Sequence, residues 1–237
     1  MKSFSITIFI IAIAALLTAT IFASDIQTKT YNYKDFNSVE VSSGMRLTVT
    51  QSDSYYIEIK AGEKDFNLLK VEKKGDVLKI YYKSSFFSFR WGKHDRVEVN
   101  IKMPSLTGLD LSGGSIGNIT MDVAAKNFSA DVSGGSILNG SLNCANISFD
   151  ISGGSKVDLS GKAKDLRMEG SGGSMFKLKD FSVANVDADL SGGSHATVTM
   201  NGILNSEQSG GSRLVYYGNM SLGDTDFSGG SGVSRGK

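Results

Sequence analysis

Seven carboxylates recur at one position of a repeat. Asp110, Asp131, Asp150, Glu169, Asp189, Glu207 and Asp226 each stand two residues before a Ser-Gly-Gly-Ser tetrapeptide, which begins at Ser112, Ser133, Ser152, Ser171, Ser191, Ser209 and Ser228. Acids at fixed spacing can do three kinds of chemistry. They can accept hydrogen bonds from the serine hydroxyls and amides of the following turn. They can offer oxygens to a divalent cation such as calcium, which takes six to eight. In pairs roughly 5–9 Å apart they can serve as the two carboxylates of glycoside hydrolysis. A uniform column is a poor active site, because nothing in it singles out an acid from a base. The residues favour the turn-capped reading, with calcium as the cofactor the column would take if it bound one.

Other side chains offer less chemistry. His94 and His195 are the only histidines. They stand far apart in sequence, which speaks against a zinc site or a Ser-His-Asp triad, and both are expected to face solvent. Cys144 is the only cysteine, so an intrachain disulfide is impossible. It is expected to be a small buried core residue. Phe86, Phe87, Phe89 and Trp91 form the most aromatic stretch of the chain. They read either as a loop folded over the open end of the core or as a partner surface.

The elements that position these residues follow from the spacing. Successive tetrapeptides lie 21, 19, 19, 20, 18 and 19 residues apart. A fixed period of that length marks a solenoid, in which each repeat is too short to bury its own apolar face and must stack on its neighbours. The glycine pair suits a sharp turn, since glycine reaches positive φ without a Cβ penalty. A phosphate-cradling loop would need a helix next, and here strands follow. Residues one and three before each tetrapeptide read inward, Leu111, Val132, Ile151 and Leu190 among them, which turns the acids outward. A second strand follows each turn, as in Val157 and Leu159 or Phe176 and Leu178. The apolar character fades after Asn205, which predicts weaker terminal coils.

Residues 25–108 carry no repeat but alternate with period two over Val39–Val41, Arg46–Thr50, Tyr56–Lys60, Val77–Tyr82 and Arg96–Ile101. One helical turn is expected between Lys64 and Leu69. The predicted organisation is therefore a signal peptide over 1–24, an N-terminal β-strand region over 25–108, and a repeat β-solenoid over 109–237 continuous with it. The fold class is all-β.

The first 24 residues carry Lys2, an apolar run from Ile6 to Leu17, and a cleavage site near Ile21-Phe22-Ala23. These are the parts of a secretory signal, with an N-terminal membrane anchor as the alternative. No cysteine follows the run to carry a lipid. Removing Lys2 leaves 24 basic residues (25 − 1) against 24 acidic ones. That balance argues against a nucleic-acid partner.

The chain resembles the family described as putative auto-transporter adhesin, head GIN domain. The resemblance runs through Phe36-Asn37-Ser38-Val39-Glu40-Val41, Leu47-Thr48-Val49-Thr50-Gln51 and Leu78-Lys79-Ile80. It continues through Phe89-Arg90-Trp91, Val97-Glu98-Val99 and Met103-Pro104-Ser105-Leu106 into the Ser-Gly-Gly-Ser array. It implies an exported, right-handed β-helical protein of a bacterial envelope, without enzymatic activity. The reading is thus a non-catalytic periplasmic, surface or extracellular module that binds, adheres or scaffolds as a monomer. Its ligand would be a glycan or a protein. The alternative is a carbohydrate-active enzyme, a lyase or glycoside hydrolase, on a β-helix.

Overall fold

A computed structural model of the chain describes residues 26–83 and 96–237. The expected signal segment and the aromatic stretch Phe86, Phe87, Phe89 and Trp91, with His94, lie outside the described residues. The chain folds as a β-solenoid of two stacked faces joined at each coil by the Ser-Gly-Gly-Ser turn. The first face holds the strands before the turns and the second face those after them.

Parallel ladders run the length of the repeats. Strand β8 (Gly108–Leu111) enters the first turn, and β9 (Ile116–Val132) crosses the second face and returns along the first. β10 (Ile137–Ile151) stacks on β9 in the same way, pairing Ile137 with Ile116 and Ile151 with Val132. The next coils divide the path: β11 (Lys156–Lys162) and β13 (Met175–Val183) lie on the second face, β12 (Asp165–Gly170) and β14 (Asn185–Leu190) on the first. β15 (His195–Gln208) and β16 (Arg213–Phe227) again span both faces, and β17 (Gly232–Arg235) ends the stack.

The residues read inward are inside. Leu111, Val132, Ile151 and Leu190 are fully buried, as are Val157, Phe176 and Leu178. Gly170 opens the space that the large Phe176 ring fills: a Cβ there would lie 2.7 Å from that ring and 2.9 Å from Leu190. Towards the C-terminal end the core turns polar. Gln208 and Ser206 occupy inward positions, and Phe227 is 41% exposed. Gln208 Nε2 donates to Ser206 Oγ, while Gln208 Oε1 has no partner among the described residues.

The turns carry the conformation that the glycines imply. In the first three, both glycines have positive φ, for example Gly153 at 64° and Gly154 at 78°, the sign pattern of a type I′ turn. From Gly172 onward only the first glycine does. In the last three turns the second glycine's N–H donates across the stack, Gly193 N to Gly172 O at 2.7 Å, adding a rung at the turn itself. The second serine of each of the first six motifs is buried and bonds to backbone, as Ser174 Oγ does to Ile151 O and Ser171 O.

The N-terminal strands enter the same stack out of order. β2 (Ser38–Val41) and β3 (Arg46–Gln51) form a coil whose turn is Ser42-Ser43-Gly44, with Ser43 at φ 68° and Gly44 at 77°. β2 pairs with β8, and β3 with β9, all parallel. On the opposite side this coil pairs with β6 (Val77–Tyr82) and β7 (Glu98–Met103), which come later in sequence. Antiparallel strands finish that end. β4 (Tyr56–Gly62) lies on β7 and β1 (Ile26–Tyr31) on β4, while β5 (Leu69–Lys74) lies on β6. The short helix α1 (Glu63–Leu68) supplies the expected helical turn and buries Phe66.

Candidate functional site

The acids form one continuous outward ladder on the first face. The register pairs Asp110 with Asp131, Asp131 with Asp150, Asp150 with Glu169 and Glu169 with Asp189. Glu207 and Asp226 continue it. Neighbouring members stand one strand apart, about 4.8 Å. The ladder also extends in the other direction: Glu40 pairs with Asp110, Lys79 with Glu40 and Glu72 with Lys79. The Lys79 ammonium forms an ion pair with the Glu40 carboxylate. Glu40 and Lys79 carry no Ser-Gly-Gly-Ser marker, which is why the repeat alone does not find them.

Like charges at strand spacing leave an electrostatic trace. Burial raises the Asp110 carboxyl above the ordinary aspartate range, and the Glu40 and Asp131 charges add to this while Lys79 opposes it. Burial and Asp150 likewise raise Asp131. At Glu169 the charge is met instead, because Arg167 Nη2 and Nε donate to its Oε1 at 2.7 and 2.9 Å. Arg167 Nη1 also lies 3.5 Å from Asp187.

Among the described residues, no hydrogen bond joins a turn serine hydroxyl to an acid of the ladder. Ser115 Oγ donates to Ser112 O at 2.8 Å and Ser194 Oγ to Ser191 O at 2.8 Å. The buried second serines bond to backbone instead, donating to carbonyls or, at Ser136 and Ser155, accepting the N–H of Ser115 and Ser136, while the carboxylates point outward. Among the described residues no three His, Cys, Asp or Glu side chains converge as a metal-binding group. His195 is exposed, and Cys144 is buried with its thiol pushed up to about 11 by that burial. No described helix is long and apolar enough to cross a membrane.

A second feature of the first face was not found by sequence reasoning. A groove of about 480 Å³ runs across the strands, from Thr107 to Asp187. One wall is Asn127, Asn146 and Asp165; the other is Ser129, Ser148 and Arg167. Strand pairing holds each wall in line, Asn127 with Asn146 and Asn146 with Asp165. Asn146 Nδ2 donates to Asn127 Oδ1 at 2.8 Å, and Asn185 Nδ2 to Asp165 Oδ1 at 2.8 Å. The floor is sheet backbone at Phe128, Ile147 and Leu166, whose side chains turn into the core. The walls mix amide, hydroxyl and charge, so they lack the single-residue repetition that marks the acid ladder.

Solved structures share this architecture. A protein described as a putative adhesin from Bacteroides fragilis is 18% identical, with 90% of this chain and 98% of that one covered, at a TM-score of 0.81. A putative lipid binding protein from Parabacteroides distasonis is 16% identical over 91% and 98%, at a TM-score of 0.70. A putative adhesin from Parabacteroides merdae is 17% identical over 90% and 96%, also at 0.70. At such identities the likeness is one of fold. No curated protein matches the sequence. The family described as "Putative auto-transporter adhesin, head GIN domain" matches residues 35–219, and the chain belongs to that family.

Proposed function

We propose that the chain is a non-catalytic binding module of the cell envelope, exported and acting as an adhesin or scaffold. The observation that carries this reading is the repetition of outward residues on a stacked β scaffold, in register from Glu40 to Asp226. Repetition of equivalent groups suits many weak contacts made at once, where linked contacts gain avidity without any single strong one. Acid–base catalysis asks for the reverse, unlike groups whose environments push them apart. Family membership and the adhesin descriptions of two structural relatives support the same reading.

The test has two parts. Fractionated cells carrying the chain with an epitope tag are treated with protease before lysis; the tag is expected outside the cytoplasm. Purified solenoid is then added in competition with attachment of the cells to a surface, and attachment is expected to fall. A cytoplasmic tag overturns the reading. So does polysaccharide cleavage by the purified chain, followed as new reducing ends.

A further inference from the structure

We propose that the groove on the first face binds a linear, uncharged, equatorially linked polysaccharide. The inference rests on the reading of the chain as a binding module and names its ligand. The groove crosses five coils, from Thr107 on the turn before β8 to Asp187 on β14. Four coil steps at about 4.8 Å each give a length of about 19 Å. Its volume falls within the range of small-molecule sites, roughly 300–1,000 Å³, and it is long and straight rather than round.

Shape and chemistry point the same way. The floor is flat sheet, whose backbone hydrogen bonds are spent between coils, so it presents carbon rather than free donors. Polar groups stand along both walls at the coil period. An equatorially linked sugar chain has matching parts: a flat ribbon with C–H faces and hydroxyls projecting from both edges. Among the described hydrogen bonds none uses the hydroxyls of Ser129 and Ser148, the Nδ2 of Asn127 or the Oδ1 of Asn146. All four are exposed or half-buried. Asp165, Arg167 and Asp187 add carboxylate and guanidinium groups already tied to Asn185, Glu169 and one another, which offer a sugar hydroxyl the lone pairs and N–H groups those contacts leave over.

Charge sets the class. Asp165 and Asp187 at one end disfavour a polyanion. Arg167 between them disfavours a polycation. An uncharged chain of hydroxyls meets both without penalty. A curled, axially linked glucan presents no flat ribbon and does not fit a straight floor.

The experiment is calorimetric titration of the full chain with cellohexaose, with maltohexaose as the axial comparison. Cellohexaose is expected to bind, and maltohexaose to bind at least about ten-fold more weakly. Ser148→Tyr fills the groove at its centre and Arg167→Ala removes a wall donor. Ser148→Tyr is expected to weaken cellohexaose at least about ten-fold and Arg167→Ala several-fold. Lys177→Ala on the second face should leave it unchanged. Circular dichroism melts establish that each variant is folded, and Arg167→Ala decides the matter if Ser148→Tyr is not. Absence of cellohexaose binding, equal binding of both sugars, or native affinity in folded groove variants overturns the proposal. If cell attachment is still competed by a chain that binds no cellohexaose, this inference falls and the binding-module reading stands.

Discussion

Three glycine-to-alanine substitutions test the turn geometry against the coil-to-coil contact. Gly154 and Gly193 hold the same motif position, yet Gly154 has φ 78° with open space around its missing Cβ, while Gly193 is not in the positive-φ region. Its Cβ would sit 3.5 Å from Gly172 O, an ordinary contact. Gly154→Ala therefore costs only the left-handed penalty of about 1–2 kcal/mol. Gly193→Ala costs nothing locally and gains about 0.4–1 kcal/mol by restricting the unfolded chain. Gly140 adds a collision to its φ of 137°, because a Cβ would lie 1.9 Å from Ile119 O and 2.8 Å from Ile119 C. Both atoms are backbone, so the β9–β10 rung has to move. Strain of about 1–3 kcal/mol with one or two weakened hydrogen bonds at about 1 kcal/mol each gives a loss of about 2–5 kcal/mol. At roughly 2–4 °C per kcal/mol for a chain of this size, Gly154→Ala lowers Tm by about 2–8 °C and Gly140→Ala by about 4–20 °C. Gly193→Ala holds or raises it. Far-ultraviolet circular dichroism melts and urea titrations read all three. Equal losses at Gly154 and Gly193, or a smaller loss at Gly140 than at Gly154, would refute the reasoning.

Four further outcomes are expected. The folded-state pKa of Asp131 lies above its unfolded value, so its stabilising contribution is complete below the unfolded pKa and lost as pH rises through the folded one. Asp131→Asn accordingly stabilises at neutral pH by about 0.2–1 kcal/mol, an advantage that fades on acidification towards about pH 3.9; a Tm difference independent of pH contradicts this. Phe176→Ala empties the space that Gly170 opens and costs about 3–5 kcal/mol in urea unfolding, and a loss under about 1 kcal/mol would contradict the packing. Gln208→Leu combined with Ser206→Ala removes both ends of their hydrogen bond and a buried oxygen with no partner among the described residues, and restores the apolar column of Leu111 and Leu190, stabilising the chain to urea by about 1–3 kcal/mol; an unchanged urea midpoint argues against it. Millimolar calcium leaves Tm unchanged, since the ladder presents its carboxylates in single file, whereas a saturating rise would reveal a bound cation.

Much of the stack is legible in the residues. Leu109 and Leu111, Ala130 and Val132, and Phe149 and Ile151 are buried in pairs, as their alternation requires, and the acids between them pair in register. The fading of the C-terminal core is legible as well, in Ser206, Gln208 and the exposed Phe227. The extension of the ladder to Glu40 is hidden because Ser43 stands where the motif has its first glycine. The shared pattern of apolar-acid-apolar-Ser-x-Gly in Val39–Gly44 and Leu109–Gly114 is the signal that could have found it. The groove is not legible at all. Its walls are built from residues 19 positions apart that keep one type for only two coils, Asn127 and Asn146 or Ser129 and Ser148, before it changes. Nor does the sequence distinguish Gly154 from Gly193, since the difference lies in which way one peptide turns to meet its neighbour.

The out-of-order coil gives the stack a direction of growth. β2 meets β8 only after 70 residues, from Ser38 to Gly108, whereas later coils close over 18 to 21. The longer closure costs about 1 kcal/mol more entropy. Antiparallel β1, β4 and β5 then block one end, leaving a single face on which parallel strands can add. The molecule is built like a polymer with one dead end: the antiparallel N-terminal plug takes no further parallel coil, and the stack extends only from its other face.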